Sequence, residues 1–189
     1  AADVEPHEYE QLERLITGDY ATEERILLDV EVIKEDGSKH YLAVNDAVVA
    51  RGQLSKTIDL HLTLDGDEIS KYRADGLLFA TPTGSTAYSL SAGGPILAPK
   101  MECILMTPVC PHSLFSRSVL FSGESELSVH VKIPEECCCV LTIDGEKNVP
   151  VLATDRVVIR KSDLKLKLAL LHNRNFYKLL NEKLKERDF

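Results

Sequence analysis

The sequence predicts a mainly β domain, a sandwich or a barrel, with one short N-terminal helix and one C-terminal helix. Three observations carry this. Apolar and polar residues alternate over most of the chain, Asp-Gly pairs fall between successive alternating runs, and helical spacing appears only near the two ends.

From Pro6 to Ile16, the residues Tyr9, Leu12, Leu15 and Ile16 recur at helical spacing. Pro6 suits a first turn and Gly18 stands just past the end. The period then drops to two: Ile26, Leu28, Val30 and Val32 alternate with their neighbours, and Glu35-Asp36-Gly37 turns the chain into a returning strand expected over Tyr41 to Ala50. Ile58, Leu60, Leu62 and Leu64 start a second hairpin, which turns at Asp65-Gly66 toward Ile69 and Tyr72. Further strands are expected at Cys103–Met106, Ser118–Phe121, Leu127–Val131, Val140–Ile143 and Val157–Ile159, and at the alternation of Leu164, Leu166, Leu168 and Leu170. Phe176, Leu179, Leu180 and Leu184 return to helical spacing between Asn175 and Arg187. With no long linker and no repeat, one domain over residues 1–189 is the simplest organisation.

A chain of 189 residues buries roughly 70% of its unfolded surface, enough for a true core. Its 22 basic and 30 acidic residues leave a formal charge of -8, which repels phosphate backbones and argues against a nucleic-acid partner. No apolar run nears a membrane span and the first residues lack the pattern of a secretory signal, so a cytoplasmic protein without a membrane partner is expected. Adjacent residues of a strand point to opposite faces, so Cys137, Cys138 and Cys139 read as alternating thiols in a reducing compartment, with no metal called for.

The least ordinary stretch runs from Asp75 to Pro95, DGLLFATPTGSTAYSLSAGGP. A buried apolar strand leads there into a turn crowded with small hydroxyl residues and then into a short helical segment. Such a junction offers backbone N–H groups and hydroxyls to an anion or a nucleobase, which suits a polyphosphate or dinucleotide. The stretch lacks the Gly-Lys-Ser/Thr ending of a P-loop and the G-x-S-x-G spacing of a nucleophile elbow.

Asp75 through Pro95 resembles the signature of bacterial NAD kinases: Asp-Gly, four apolar residues, then Thr-Pro-Thr-Gly-Ser-Thr-Ala-Tyr, a serine and Gly-Gly. The likeness extends through Asp3-Val4-Glu5-Pro6, Glu24 to Leu28, Val44-Asn45-Asp46, Thr107 to Leu114 and Ile143-Asp144-Gly145-Glu146. It implies an NAD-kinase-type β-sandwich. It also implies an enzyme, a phosphotransferase that uses ATP or polyphosphate with Mg2+ or another divalent metal to phosphorylate the adenosine ribose 2′-hydroxyl of NAD, giving NADP. In that family the catalytic aspartate belongs to a Gly-Gly-Asp-Gly loop of an N-terminal α/β domain. The Asp-Gly pairs here, at Asp36, Asp65, Asp75 and Asp144, do not follow Gly-Gly, so the chain is expected to lack that domain and to transfer no phosphate alone. The alternatives are a non-catalytic oligomerisation or regulatory module of the same fold, or a related lipid kinase; lipid kinases lack the TPTGSTAYSLSAGG block.

The resemblance also implies a set of binding residues. Asn45 and Asp46 match the family's Asn-Glu pair at the adenine side and the ribose hydroxyls, with a carboxylate one methylene shorter. Arg73 and Asp75 match a pair approaching the nicotinamide ribose and pyrophosphate, often from a neighbouring subunit, which implies a homodimer or homotetramer. Thr86, Ala87, Tyr88, Ser89, Leu90 and Ser91 match the block that wraps adenine and ribose. Lys56 stands at a position often basic in the family, where it would meet a phosphate, and Glu146 where many members carry Gln. His112 has a structural role there. Self-association would also draw on alternating apolar residues in Ile58–Leu64 and Leu164–Leu170.

Overall fold

A computed structural model of the chain describes residues 8–52, 57–113, 116–132, 138–172 and 176–187. The chain falls into two compact units, residues 26–166 and the two chain ends, residues 1–25 with 167–189.

In the unit of residues 26–166 the alternating runs become strands of two six-stranded sheets. The first sheet has the order β2 (Gly37–Ala43), β1 (Ala21–Lys34), β12 (Arg156–Leu170), β9 (Leu127–Lys132), β4 (Ile58–Leu64) and β5 (Asp67–Ala74). The second has the order β11 (Lys147–Val151), β10 (Cys139–Ile143), β3 (Asp46–Arg51), β6 (Gly76–Ala80), β7 (Cys103–Val109) and β8 (Val119–Ser122). Leu28, Val30, Ile58, Leu60, Leu62 and Val129 of the first sheet share one core with Val49, Leu77, Phe79, Ile104, Met106 and Leu141 of the second. This is a sandwich. Because Ile58, Leu60 and Leu62 are consumed in that core, they cannot cover a second copy of the chain; Leu164, 60% exposed, remains at the surface.

The second sheet is buried on both faces around β6 and β7. Val48, Leu78, Ala80, Cys103 and Leu105 form a smaller cluster with Leu97, which follows the hydroxyl-rich segment. Burial on both sides explains why GLLFA and CILM read as continuous apolar runs rather than alternating ones.

Two differences from the sequence reading matter. The strand expected over Tyr41 to Ala50 is two strands: β2 ends at Ala43 in one sheet and β3 begins at Asp46 in the other. The stretches at Val157–Ile159 and Leu164–Leu170 join into one strand, because the charged residues between them have partners. Arg160 reaches Glu31 and Glu126, and Lys161 reaches Glu102 and Glu124.

The other unit holds a 3-10 turn at Tyr9–Leu12 and α1 (Glu13–Thr17), which ends at Gly18 in the left-handed region with φ 75°. α3 (Phe176–Arg187) lies near the other chain end. Arg14 pairs with Asp19 at 3.0 Å and donates to the Leu171 carbonyl.

Candidate functional site

The site starts from the corner between β2 and β3. Val44 and Asn45 leave one sheet before Asp46 enters the other, and Asp144 receives the amides freed there. Its Oδ2 accepts from Val44 N at 2.8 Å, and its Oδ1 from Asn45 N at 2.7 Å and Asp46 N at 3.0 Å. The Asp144 amide donates back to the Asp46 carbonyl at 2.9 Å. Asp144 and Gly145 both take positive φ, 49° and 73°, in the turn between β10 and β11 that places Glu146, exposed, at this end of the sheet.

The corner's carbonyls are taken by the segment after β6. Thr81 donates its hydroxyl to Val44 O at 2.7 Å and its amide to Asn45 O at 2.9 Å. Gly84 then passes so close that a Cβ there would lie 2.0 Å from Asn45 O. A 3-10 turn at Gly84–Thr86 and the single helical turn α2 (Tyr88–Ser91) follow.

Most hydroxyls of this segment face inward rather than toward a ligand. Ser85 Oγ donates to Pro82 O at 2.7 Å and accepts from Leu97 N, and Thr86 Oγ1 donates to Thr83 O at 3.4 Å. Ser89, fully buried, lies 3.3 Å from Thr107 Oγ1, which continues to Ser118 Oγ at 3.0 Å. Tyr88, by contrast, is 48% exposed, and Ser91 is exposed beside the partly covered Ala87 and Leu90.

Asp46 shares a face with Val48 and Ala50 by the two-residue period, and those two pack in the cluster that Leu97 covers. Only 5% of Asp46 is exposed, and among the described residues nothing hydrogen-bonds its carboxyl. Burial, and then the charge of Asp144, pushes its pKa up to about 6.

Arg73 and Asp75 lie elsewhere. Asp46 pairs with Ala80 and Ala50 with Gly76, so Asp75 stands at the opposite end of the β3–β6 pair from Asp46, roughly 17 Å along the strands. There Asp75 is gripped by Arg51, and Arg73 pairs with Asp59 at 3.2 Å. The Arg73 carbonyl accepts the amide of His112 at 2.9 Å, and His112 itself is exposed. Within one chain the structure brings together Asn45, Asp46, Thr86 to Ser91 and Glu146, and leaves Arg73 and Asp75 apart. Lys56 lies outside the described residues.

The model of the ATP-NAD kinase C-terminal domain matches residues 44–171. The chain belongs to that family. The NAD kinase C-terminal domain match begins at the corner itself and takes in every candidate residue from Asn45 to Glu146. The chain is 40% identical over 174 residues to the NAD kinase of Natranaerobius thermophilus, covering 92% of this chain and 60% of that protein. It is 40% identical over 179 residues to the NAD kinase of Magnetococcus marinus, covering 93% and 58%. It therefore spans about 60% of the length of these curated relatives. Among solved structures, a yeast NADH kinase complexed with NADH superposes with a TM-score of 0.84 at 27% identity, over 94% of this chain and 54% of that one. An NAD kinase from Archaeoglobus fulgidus in complex with ATP gives 0.76 at 26% identity, over 93% and 64%.

Sequence reasoning left two residues of this NAD kinase C-terminal domain out of the site. Asp144 stood inside a quoted motif, but an Asp before Gly reads as an ordinary turn. Thr81 read as one hydroxyl among many. The signal available for Asp144 was its Asp-Gly step after the Val140–Ile143 run, which announces a turn but not which distant amides its carboxylate meets.

Proposed function

We propose that this chain is the dinucleotide-binding part of an NAD kinase that, as a whole protein, transfers the γ-phosphoryl of ATP or polyphosphate to the adenosine ribose 2′-hydroxyl of NAD. The observation that carries this is the buried Asp46 carboxyl. It lies on the face that Val48 shares with Leu97, against which the hydroxyl-rich segment is held through Ser85 and Ser89. Ribose hydroxyls are donors that such a carboxyl would accept. Tyr88 offers an exposed ring for a base to stack on. The NADH and ATP named for the two similar structures support the same ligand class.

Among the described residues no group of three or more His, Cys, Asp or Glu side chains could hold a metal ion. The described donor set does not fit a divalent metal, and this reading assigns the chain binding alone. Among the described residues no helix is long and apolar enough to cross a membrane. The reading places the protein in the cytoplasm, where cysteines outside disulfides such as Cys103, Cys110 and Cys139 are at home.

The separation of Asp75 from Asp46 supports a homo-oligomer, dimer or tetramer, in which the Arg73–Asp75 end of one copy completes the site of another. Lys56 and Glu146 then serve the phosphates and the ribose edge.

Calorimetry with NAD tests the reading. The wild-type chain should bind, and Asp46→Ala and Asp75→Ala should each bind weakly. A mixture of the two should regain part of the lost sites, because one of two shared sites in a hybrid is intact. No binding by the wild-type chain would refute the dinucleotide site. Binding without any recovery on mixing would refute the shared one.

A further inference from the structure

We infer that Asp144 is a positioning residue of the dinucleotide site: its carboxylate fixes the Val44–Asp46 corner that presents Asn45 and Asp46, and its charge faces the carboxyl that meets the ligand. This rests on the dinucleotide reading above.

The corner needs such a group. Between the end of β2 at Ala43 and the start of β3 at Asp46 the chain crosses from one sheet to the other, so neither ladder provides for its amides. A carboxylate has two oxygens and about four acceptor positions, so it can take three N–H groups where a neutral side chain cannot. Its hydrogen bonds are also roughly twice as strong as those between neutral groups. Asp144 uses that capacity on Val44, Asn45 and Asp46, and its own amide closes the ring on the Asp46 carbonyl.

The influence reaches further through Thr81. The N–H side of the corner belongs to Asp144 and the C=O side to Thr81, whose hydroxyl also accepts from Gly84 N at 3.0 Å. The backbone that enters the Thr86–Ser91 segment therefore leans on a corner that Asp144 holds in place. Asp144 touches no ligand in this arrangement and acts through its neighbours.

The second effect is electrostatic. From β6, opposite Asp46, comes only the methyl group of Ala80, and from the turn after β10 comes Asp144, whose charge is the one that acts on Asp46 among the described residues. An Asp144→Asn variant removes that charge and leaves one oxygen for three amides.

The test is NAD binding by calorimetry from about pH 8 to about pH 5 for the wild-type chain and Asp144→Asn, together with carboxyl-detected NMR titration of Asp46. At pH 8 the variant should bind NAD about tenfold more weakly, from amides left unsatisfied and a loosened corner. Wild-type affinity should fall as the pH drops through about 6, where Asp46 takes up its proton. In Asp144→Asn that fall, and the NMR midpoint of Asp46, should move to lower pH. Loss by the same factor at every pH, an unmoved NMR midpoint, or no loss at all would overturn the inference. Asp46→Asn guards against misfolding of the first variant: its NAD affinity should no longer fall through pH 6, and a wild-type profile there would count equally against it. A wild-type chain that binds no NAD refutes the dinucleotide reading, and the NMR midpoint still decides the electrostatic link.

Discussion

Arg51 grips Asp75 with a fork, Nε to Oδ1 at 2.7 Å and Nη2 to Oδ2 at 3.3 Å, and the Arg51 amide also donates to the Asp75 carbonyl at 2.8 Å. The hydrogen bond that Arg51 donates to Asp75, and then the charge of that carboxylate, raise the Arg51 pKa further. Both side chains remain about a third exposed, so the pair holds direction more than it holds the fold. Arg51 is thus set to aim the carboxylate that the dinucleotide reading assigns to a neighbouring copy.

Arg51→Ala should therefore leave the melting temperature nearly unchanged and weaken NAD binding severalfold. Asp75→Ala should cost about 1–3 kcal/mol of binding. The double variant should lose little more than Asp75→Ala alone, since without the carboxylate nothing remains to be aimed. A calorimetric double-mutant cycle reads this directly, and strictly additive losses would show that the fork does not organise Asp75.

Gly84→Ala should be among the most damaging single changes in the chain. The added methyl would stand 2.0 Å from Asn45 O and 2.7 Å from Asn45 Cα, and both are backbone atoms held by Thr81 and Asp144. Relief requires the corner to move, at a cost of about 1–3 kcal/mol or more. For a chain of this size that lowers the melting point by about 2–4 °C per kcal/mol, and NAD affinity should fall with it. Gly93→Ala is the control. A Cβ there meets nothing within 4 Å and only its φ of 87° is strained, so its loss should be about 1–2 kcal/mol with NAD affinity retained. Equal effects on binding would contradict the close approach at Gly84.

How much of this was legible in the sequence follows from the range of each interaction. The turn at Asp65-Gly66 was readable because left-handed backbone is a local demand that Asp-Gly meets, and both residues have positive φ. The sandwich followed from the period of two. The switch between sheets at Val44-Asn45 was not readable, because its cause lies about a hundred positions away in Asp144. β11 was missed since Lys147, Asn148 and Pro150 make a poor strand pattern. It is an edge strand, where the missing N–H of Pro150 can face away from the ladder. In the site, the resemblance picked out the Thr86–Ser91 block, but composition could not show that Ser85 and Ser89 turn inward to Leu97 and Thr107.

The buried Asp46 should also leave a mark on stability against pH. Its pKa rises from the ordinary 3.8 to about 6, by burial first and the Asp144 charge second. An acid that holds its proton more tightly when folded stabilises fully below its unfolded pKa, and that contribution is lost as pH climbs through the folded one. Between about pH 4 and about pH 7 the Asp46 contribution should therefore decline, by on the order of 1–2 kcal/mol after allowing for solvent screening. Other carboxyls work the opposite way: the hydrogen bond from His61 holds Glu68 low and that from Lys161 holds Glu102 low, so their contributions fade as the pH falls. The bare melting curve mixes these signs, and the comparison with Asp46→Asn separates them, because the amide keeps the shape and does not titrate. The wild-type chain should lose about 2–8 °C of melting temperature relative to Asp46→Asn as the pH rises across that window. A difference between the two chains that stays flat with pH would mean that Asp46 is solvated in the folded state, and the case for its carboxyl as a buried acceptor awaiting ribose hydroxyls would fall with it.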